Sequence, residues 1–170
     1  NGDITFYVIR RTPPGAGLFS NYLLVLMHLK YAELNNLTPV IDYKNYSNYY
    51  SGKSHSTSEN YWDNYWDQPT KYNLDEVYQS SNVILSSANI SKLLEKNYGY
   101  YDLNSKKFLE NQRQINDFNG ISNSIKLRSS VEEKVNNDLK SIFASKQNIL
   151  GISLRGTDYL NTNLAKGHYK

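Results

Sequence analysis

The chain opens on a dense apolar run, "ITFYVIR" over residues 4–10. Its β-branched and aromatic residues predict a buried strand. "RTPPGAG" (11–17) interrupts the run with prolines and glycines, as a tight turn does. In "LFSNYLLVLMHLKYAEL" (18–34), Leu18, Tyr22, Leu23, Leu26, Leu29 and Leu34 mark one face, and other apolar residues nearly encircle it. That pattern predicts a largely buried helix. "NNLTP" ends the helix, and "PVIDY" (39–43) predicts a second short strand. Strand, turn, helix and strand in that order make a βαβ unit. The expected fold class is therefore α/β, a Rossmann-like three-layer domain with a mainly parallel sheet.

Residues 44–82 lose this clear periodicity and are rich in Tyr, Asn and Ser. Within them "YWDNYWDQPT" (61–70) places Tyr61 and Tyr65, and Trp62 and Trp66, four apart, which predicts one helical turn ending before Pro69. "NVILS" (82–86) predicts a third strand, and residues 89–97 and 106–117 predict helices. A longer helix is expected over 121–146, with Ile121, Ile125, Val135, Leu139 and Ile142 along one side. "NILGISL" (148–154) then predicts a further strand. The expected division is a domain over 1–146 and the start of a second over 147–170.

Composition narrows the function classes. The chain has 170 residues, 39% of them hydrophobic, enough for one ordinary domain with a core. A net charge of +3 without any Lys/Arg run gives no reason to expect a nucleic-acid partner. No apolar segment approaches the roughly 18 residues of a membrane span; the expected location is cytoplasmic or membrane-peripheral. With no cysteine, disulfides, thiolate metal sites and a Cys nucleophile are excluded. The abundance of Tyr and Asn is explained by nucleotide composition acting on codon use. The chain begins at Asn1 and ends in "NLAKGHYK". Both ends read as cut, so the remainder of a longer parent chain is expected.

Candidate chemistry lies at strand ends. In "PPGAGLFS" the glycines flanking Ala16, Gly15 and Gly17, let backbone approach a ligand, and the following helix N-terminus offers free N–H groups suited to phosphate. The turn resembles G-x-G-x-x-G, with Ser20 in place of the third glycine, and Asp42 stands where a ribose-binding acid would. An ordinary tight turn explains the same residues. In "GISLRGTDY" a strand delivers Arg155 into a small-residue turn. Open α/β sheets bind ligands at such ends, and guanidinium grips phosphate with a planar fork. Gly156 and Thr157 leave room beside it, and Asp158 could orient it. A surface Arg155–Asp158 pair is the plainer alternative.

The cluster Tyr61, Trp62, Tyr65 and Trp66 could stack on a sugar or base, or simply pack. No D-x-D occurs. Asp63 and Asp67 read as a polar helix face, and His28, His55 and His168 lack ligand spacing, so no metal site is expected. G-x-S-x-G is absent too.

Together, "PPGAGLFSNYLLVLMHLKYAELNNLTPVIDY", "ENYWDNYWDQP" and "GISLRGTDY" resemble the inverting fucosyltransferases that use GDP-fucose. The resemblance spans nearly the whole chain. It implies half of a GT-B-like two-domain enzyme, metal-independent, without a cofactor, with a nucleotide sugar and a glycan as partners. A bacterial origin is an expectation that rests on the same resemblance. It implies that Arg155 is catalytic, holding the donor pyrophosphate, and that Gly15, Ala16, Gly17, Gly156, Thr157 and Asp158 border the donor. Trp62, Tyr65 and Trp66 become candidates on the acceptor side. Ser153 replaces the family's histidine and Gly156 its second arginine, and the catalytic base is unassigned. The rest of the donor-binding half lies beyond this chain, which is expected to be inactive alone. A non-catalytic nucleotide- or glycan-binding module, or an NAD-type dinucleotide protein, are the alternatives.

Overall fold

The structure is a computed structural model that describes residues 4–10, 17–45 and 60–143. The chain is α/β. It divides into two compact units, residues 1–132 and 133–170, and the sheet lies in the first. β1 (Phe6–Ile9) sits between β2 (Thr38–Ile41) and β3 (Val83–Leu85), both parallel to it, giving the order β2-β1-β3. Tyr7 pairs with Pro39 on one side and with Ile84 on the other. All four β1 residues are buried, which is why its sequence is apolar throughout rather than alternating.

α1 (Leu18–Leu34) connects β1 to β2. Its end is set by a left-handed residue, Asn36 at φ 57°, which lets Leu37 N–H reach Ala32 O at 2.9 Å and Asn36 N–H reach Glu33 O at 3.3 Å. Asn tolerates that conformation, so "NN" stops the helix where a glycine often would. α1 is buried on two sides. Val25, Leu29 and Ala32 pack with Tyr7, Ile9 and Ile41 from one face of the sheet. Leu26 and Met27 pack with Ile90, Leu94 and Phe118 of α3 (Ile90–Tyr98) and α5 (Gln112–Ser124). The opposite sheet face, Phe6, Val8 and Val40, is covered by Val77 of α2 (Leu74–Gln79).

Two helix expectations are corrected. The helix expected over 106–117 is two: α4 (Lys106–Leu109) ends, and Asn111 starts α5 by accepting from Gln114 N–H at 3.1 Å. The helix expected over 121–146 is also broken. α5 stops at Ser124 and α6 (Ser129–Phe143) begins afresh. Between them the chain is drawn into a short antiparallel bridge, Trp66 opposite Leu127, with Asp67 N–H on Lys126 O (2.9 Å) and Arg128 N–H on Tyr65 O (3.0 Å). A long-range pairing thus overrides the local helical pattern. Ile121 and Ile125 pack on α1-side clusters, whereas Val135, Leu139 and Ile142 of α6 are exposed. The strand expected over 148–154 lies outside the described residues.

Candidate functional site

At the carboxyl ends of the strands, β1 leads into Arg10 and β2 into Asp42, while Ser86 follows β3. Ser86 Oγ accepts from Arg10 N–H at 2.9 Å, and Arg10 Nε donates to Ser86 O at 3.5 Å, tying the two strand ends together. Gly17 is the N-cap of α1 and brings no side chain of its own to cap the first turn. Gly15 and Ala16, and Arg155, Gly156, Thr157 and Asp158, lie outside the described residues.

Asp42 occupies the position anticipated for it, fully buried past the end of β2. Its carboxylate is engaged on both oxygens. Oδ1 accepts from the backbone N–H of Lys44 (3.0 Å) and Asn45 (2.9 Å), and Oδ2 from Asn45 Nδ2 (2.9 Å) and the Tyr78 hydroxyl (2.6 Å). Four donors on one carboxylate fix the turn at Lys44 and Asn45 and tie it to Tyr78 of α2. A ribose hydroxyl would have to displace one of them, so Asp42 reads as a loop-forming group.

The aromatic segment is placed mainly in the core. Tyr61–Asn64 form one helical turn before Pro69, of the 3-10 kind. Trp62 and Trp66 stack at 4.5 Å between centroids, with Tyr22 of α1 against both. Trp62 is 1% exposed and Trp66 8%. Trp62 also donates its indole N–H to Asp67 O at 3.1 Å. As acceptor-stacking candidates, these two rings have their faces covered by protein. Tyr65 is half-buried, its ring 5.6 Å from that of Tyr61.

The same segment closes the outer edge of β2. Thr38 N–H and Asp42 N–H point inward to Thr5 O and Ile9 O, so the alternate residues 39, 41 and 43 face outward. Pro39 has no N–H. Ile41 N–H is met by Gln68 Oε1 at 2.9 Å, and Tyr43 N–H by Asn60 Oδ1 at 2.9 Å. Ile41 O in turn accepts from Asn60 Nδ2 (2.7 Å) and Gln68 Nε2 (3.1 Å). Two side-chain amides thereby do what a neighbouring strand would do, and a proline removes the remaining donor.

Beside that clasp lies a cleft of about 590 Å³, lined by Val40, Asn60, Asp63 and Gln68 together with the stretch from Thr70 to Asp75. Lys44, Lys71 and Arg128 also line it. Asp63 is its most perturbed group. Burial pushes its carboxyl above the usual range, against the opposing pull of Gln68 Nε2 at 2.7 Å and the Arg128 guanidinium. Arg128 Nη1 donates to Asp63 O at 2.6 Å. Sequence reasoning did not single out Asn60, Gln68, Lys44, Lys71 or Arg128. Their only local signal was an amide at each end of the aromatic run.

A second buried polar pair joins α1 to the sheet. The Tyr7 hydroxyl lies 2.8 Å from His28 Nδ1. His28 is fully buried, and Nε2 has no partner among the described residues. Burial lowers its pKa to about 3, so the ring is neutral at ordinary pH. It belongs to the core. Among the described residues no three His, Asp or Glu side chains converge as metal ligands, and no helix is long and apolar enough to cross a membrane.

Compared with protein-family models, with curated proteins and with solved structures, the chain matches none.

Proposed function

We propose that this chain forms part of a glycosyltransferase that moves fucose from GDP-fucose to a hydroxyl acceptor with inversion, without a metal, as one half of a GT-B-like enzyme. The observation carrying this reading is the β1–α1–β2 unit. It is parallel, and its glycine-bearing connection leads into α1, whose N-cap is Gly17, at the carboxyl edge of the sheet. Such an edge is where α/β sheets take phosphate-bearing ligands. The "GISLRGTDY" motif adds the second support. In glycosyl transfer the charge develops on the departing diphosphate, and Arg155 is the fixed cation assigned to it. The NAD-type alternative is weakened by Asp42, whose carboxylate already holds four donors.

The test uses the complete gene product. GDP release from GDP-fucose is followed with wild type, Arg155→Ala and Arg155→Lys. Loss of about 2–4 kcal/mol of transition-state stabilisation, roughly 30- to 1,000-fold in kcat, is expected for the alanine variant. The lysine variant should recover part of it. Wild-type turnover by Arg155→Ala would remove Arg155 from the mechanism, and failure of the wild type to bind GDP or GDP-fucose would remove the donor assignment.

A further inference from the structure

The proposed transfer assigns no role to the cleft beside β2, whose lining is chemically mixed. Its volume, about 590 Å³, falls within the range of small-molecule sites. Val40, which lines it, belongs to the sheet face covered by α2, opposite the face that α1 covers. The cleft therefore flanks the side of the sheet away from α1.

Its walls offer both donors and acceptors. Amides come from Asn64 and Asn73 and a hydroxyl from Thr70, and carboxylates come from Asp63 and Asp75. Three cations, Lys44, Lys71 and Arg128, face two carboxylates, which leaves one positive charge in excess. None of the three cations makes a salt bridge to an acid among the described residues. Lys71 lies 5.6 Å from the Tyr72 ring centroid. Arg128 is fixed in place through Nη1 on Asp63 O, and its backbone N–H is held by Tyr65 O. Asp63 is desolvated more than its neighbours compensate, so an added hydroxyl donor would be favourable there. A wall of amides and carboxylates matches hydroxyl groups, and the excess cation matches one anionic group.

From this combination we propose that the cleft beside β2 binds an acidic saccharide, with its hydroxyls received by Asp63 and the neighbouring amides and its carboxylate by one or more of the lining cations Lys44, Lys71 and Arg128. A nucleic acid would instead require a continuous basic face, and this cleft carries both signs of charge.

The complete gene product is titrated calorimetrically with trigalacturonate and with its neutral counterpart, galactotriose. The acidic trimer should bind about tenfold or more tightly than the neutral one, and raising salt from about 50 to about 300 mM should weaken only the acidic ligand. Lys71→Ala, at an exposed position, should weaken the acidic trimer about three- to tenfold without changing the fluorescence of the two tryptophans. Asp63→Asn should weaken the neutral trimer, and the acidic trimer less, because the substitution also removes a negative charge from the cleft. Arg155→Ala should leave all of these affinities unchanged, which separates this site from the proposed transferase centre. Equal affinity for the two trimers, no saturable binding of either, or indifference to both Lys71→Ala and Lys44→Ala would overturn the assignment. Loss of binding in Arg155→Ala would overturn its independence.

Discussion

Replacing Gln68 by alanine removes three hydrogen bonds at the edge of β2. They are the bond from Ile41 N–H, the bond to Ile41 O and the bond to Asp63 Oδ1. Their costs differ. Ile41 is fully buried, so its N–H is left without a partner or water, at about 1–3 kcal/mol. Ile41 O keeps Asn60 Nδ2 and loses little. Asp63 is only half-buried and recovers part of its lost bond from water, leaving about 0.5–1 kcal/mol. Freed side-chain entropy offsets up to about 1–2 kcal/mol of the total. The net expectation is a destabilisation of about 1–3 kcal/mol.

The measurement is urea unfolding followed by tryptophan fluorescence. The chain has two tryptophans, both in this segment and both buried, so the signal reports the clasp directly. The midpoint should fall while the slope stays constant. Because Asn60 and Gln68 share Ile41 O, the double alanine variant should cost about 1 kcal/mol more than the sum of the singles. Gln68→Glu sharpens the case. A carboxylate there cannot donate to Ile41 O or Asp63, and it places two negative charges where a 2.7 Å bond stood. It should be destabilising at neutral pH and recover as the pH falls and the pair takes up a proton. A Gln68→Ala cost below about 0.5 kcal/mol, or a Gln68→Glu variant as stable as wild type at neutral pH, would refute the edge-closure reasoning.

Three other outcomes can be measured in the same way. His28 has a folded pKa of about 3 against an ordinary 6.5, so the unfolded chain binds a proton that the native chain refuses. Its contribution is complete above pH 6.5 and is lost as the pH falls, by up to about 1.4 kcal/mol per pH unit. The stability difference between wild type and His28→Gln should follow that slope between pH 6.5 and 3, and a flat difference would contradict it. Trp62→Ala should cost about 3–5 kcal/mol by circular dichroism, since its ring is enclosed by Trp66, Tyr22 and Tyr43. Asn73→Ala removes one half of the capping box that Asn73 forms with Glu76 and should cost about 1 kcal/mol, with Asn73→Asp close to wild type.

Local pattern was sufficient wherever an element is decided by its own residues. The helix expected over 18–34 spans Leu18–Leu34, because its apolar content and the Asn35–Asn36 stop are both local. β1 and β3 fall inside their expected ranges, and β2 starts one residue earlier, at Thr38. Pattern failed where a partner far along the chain decides. Nothing near Leu127 signals that it will pair with Trp66, so the apolar spacing from Ile121 to Ile142 was read through a break. The site shows the same division. Asp42 was legible as the acid after β2, but its four donors include Tyr78, 36 residues away, and that contact sets its role. Gln68 and Asn60 carry no periodic signal. Their meaning comes from a backbone edge reached across 27 and 19 residues.

The closed edge also constrains how the sheet can extend. At β2 the outward N–H groups of Ile41 and Tyr43 are taken, and Pro39 has none, so an incoming strand would find no donors there. At β3 no comparable device is present among the described residues, and Ile84 and Leu85 are 44% and 43% exposed. A strand joining this sheet, from the same polypeptide or another, can therefore pair only at β3 without first displacing Gln68 and Asn60. That asymmetry explains why an aromatic, amide-rich segment lies beside β2. The Trp62–Trp66 stack fixes the segment against α1, and only a rigid segment can hold two amides in register with a strand edge. The cleft beyond it inherits that rigidity, because Asp63 and Gln68 belong at once to the clasp and to the cleft wall.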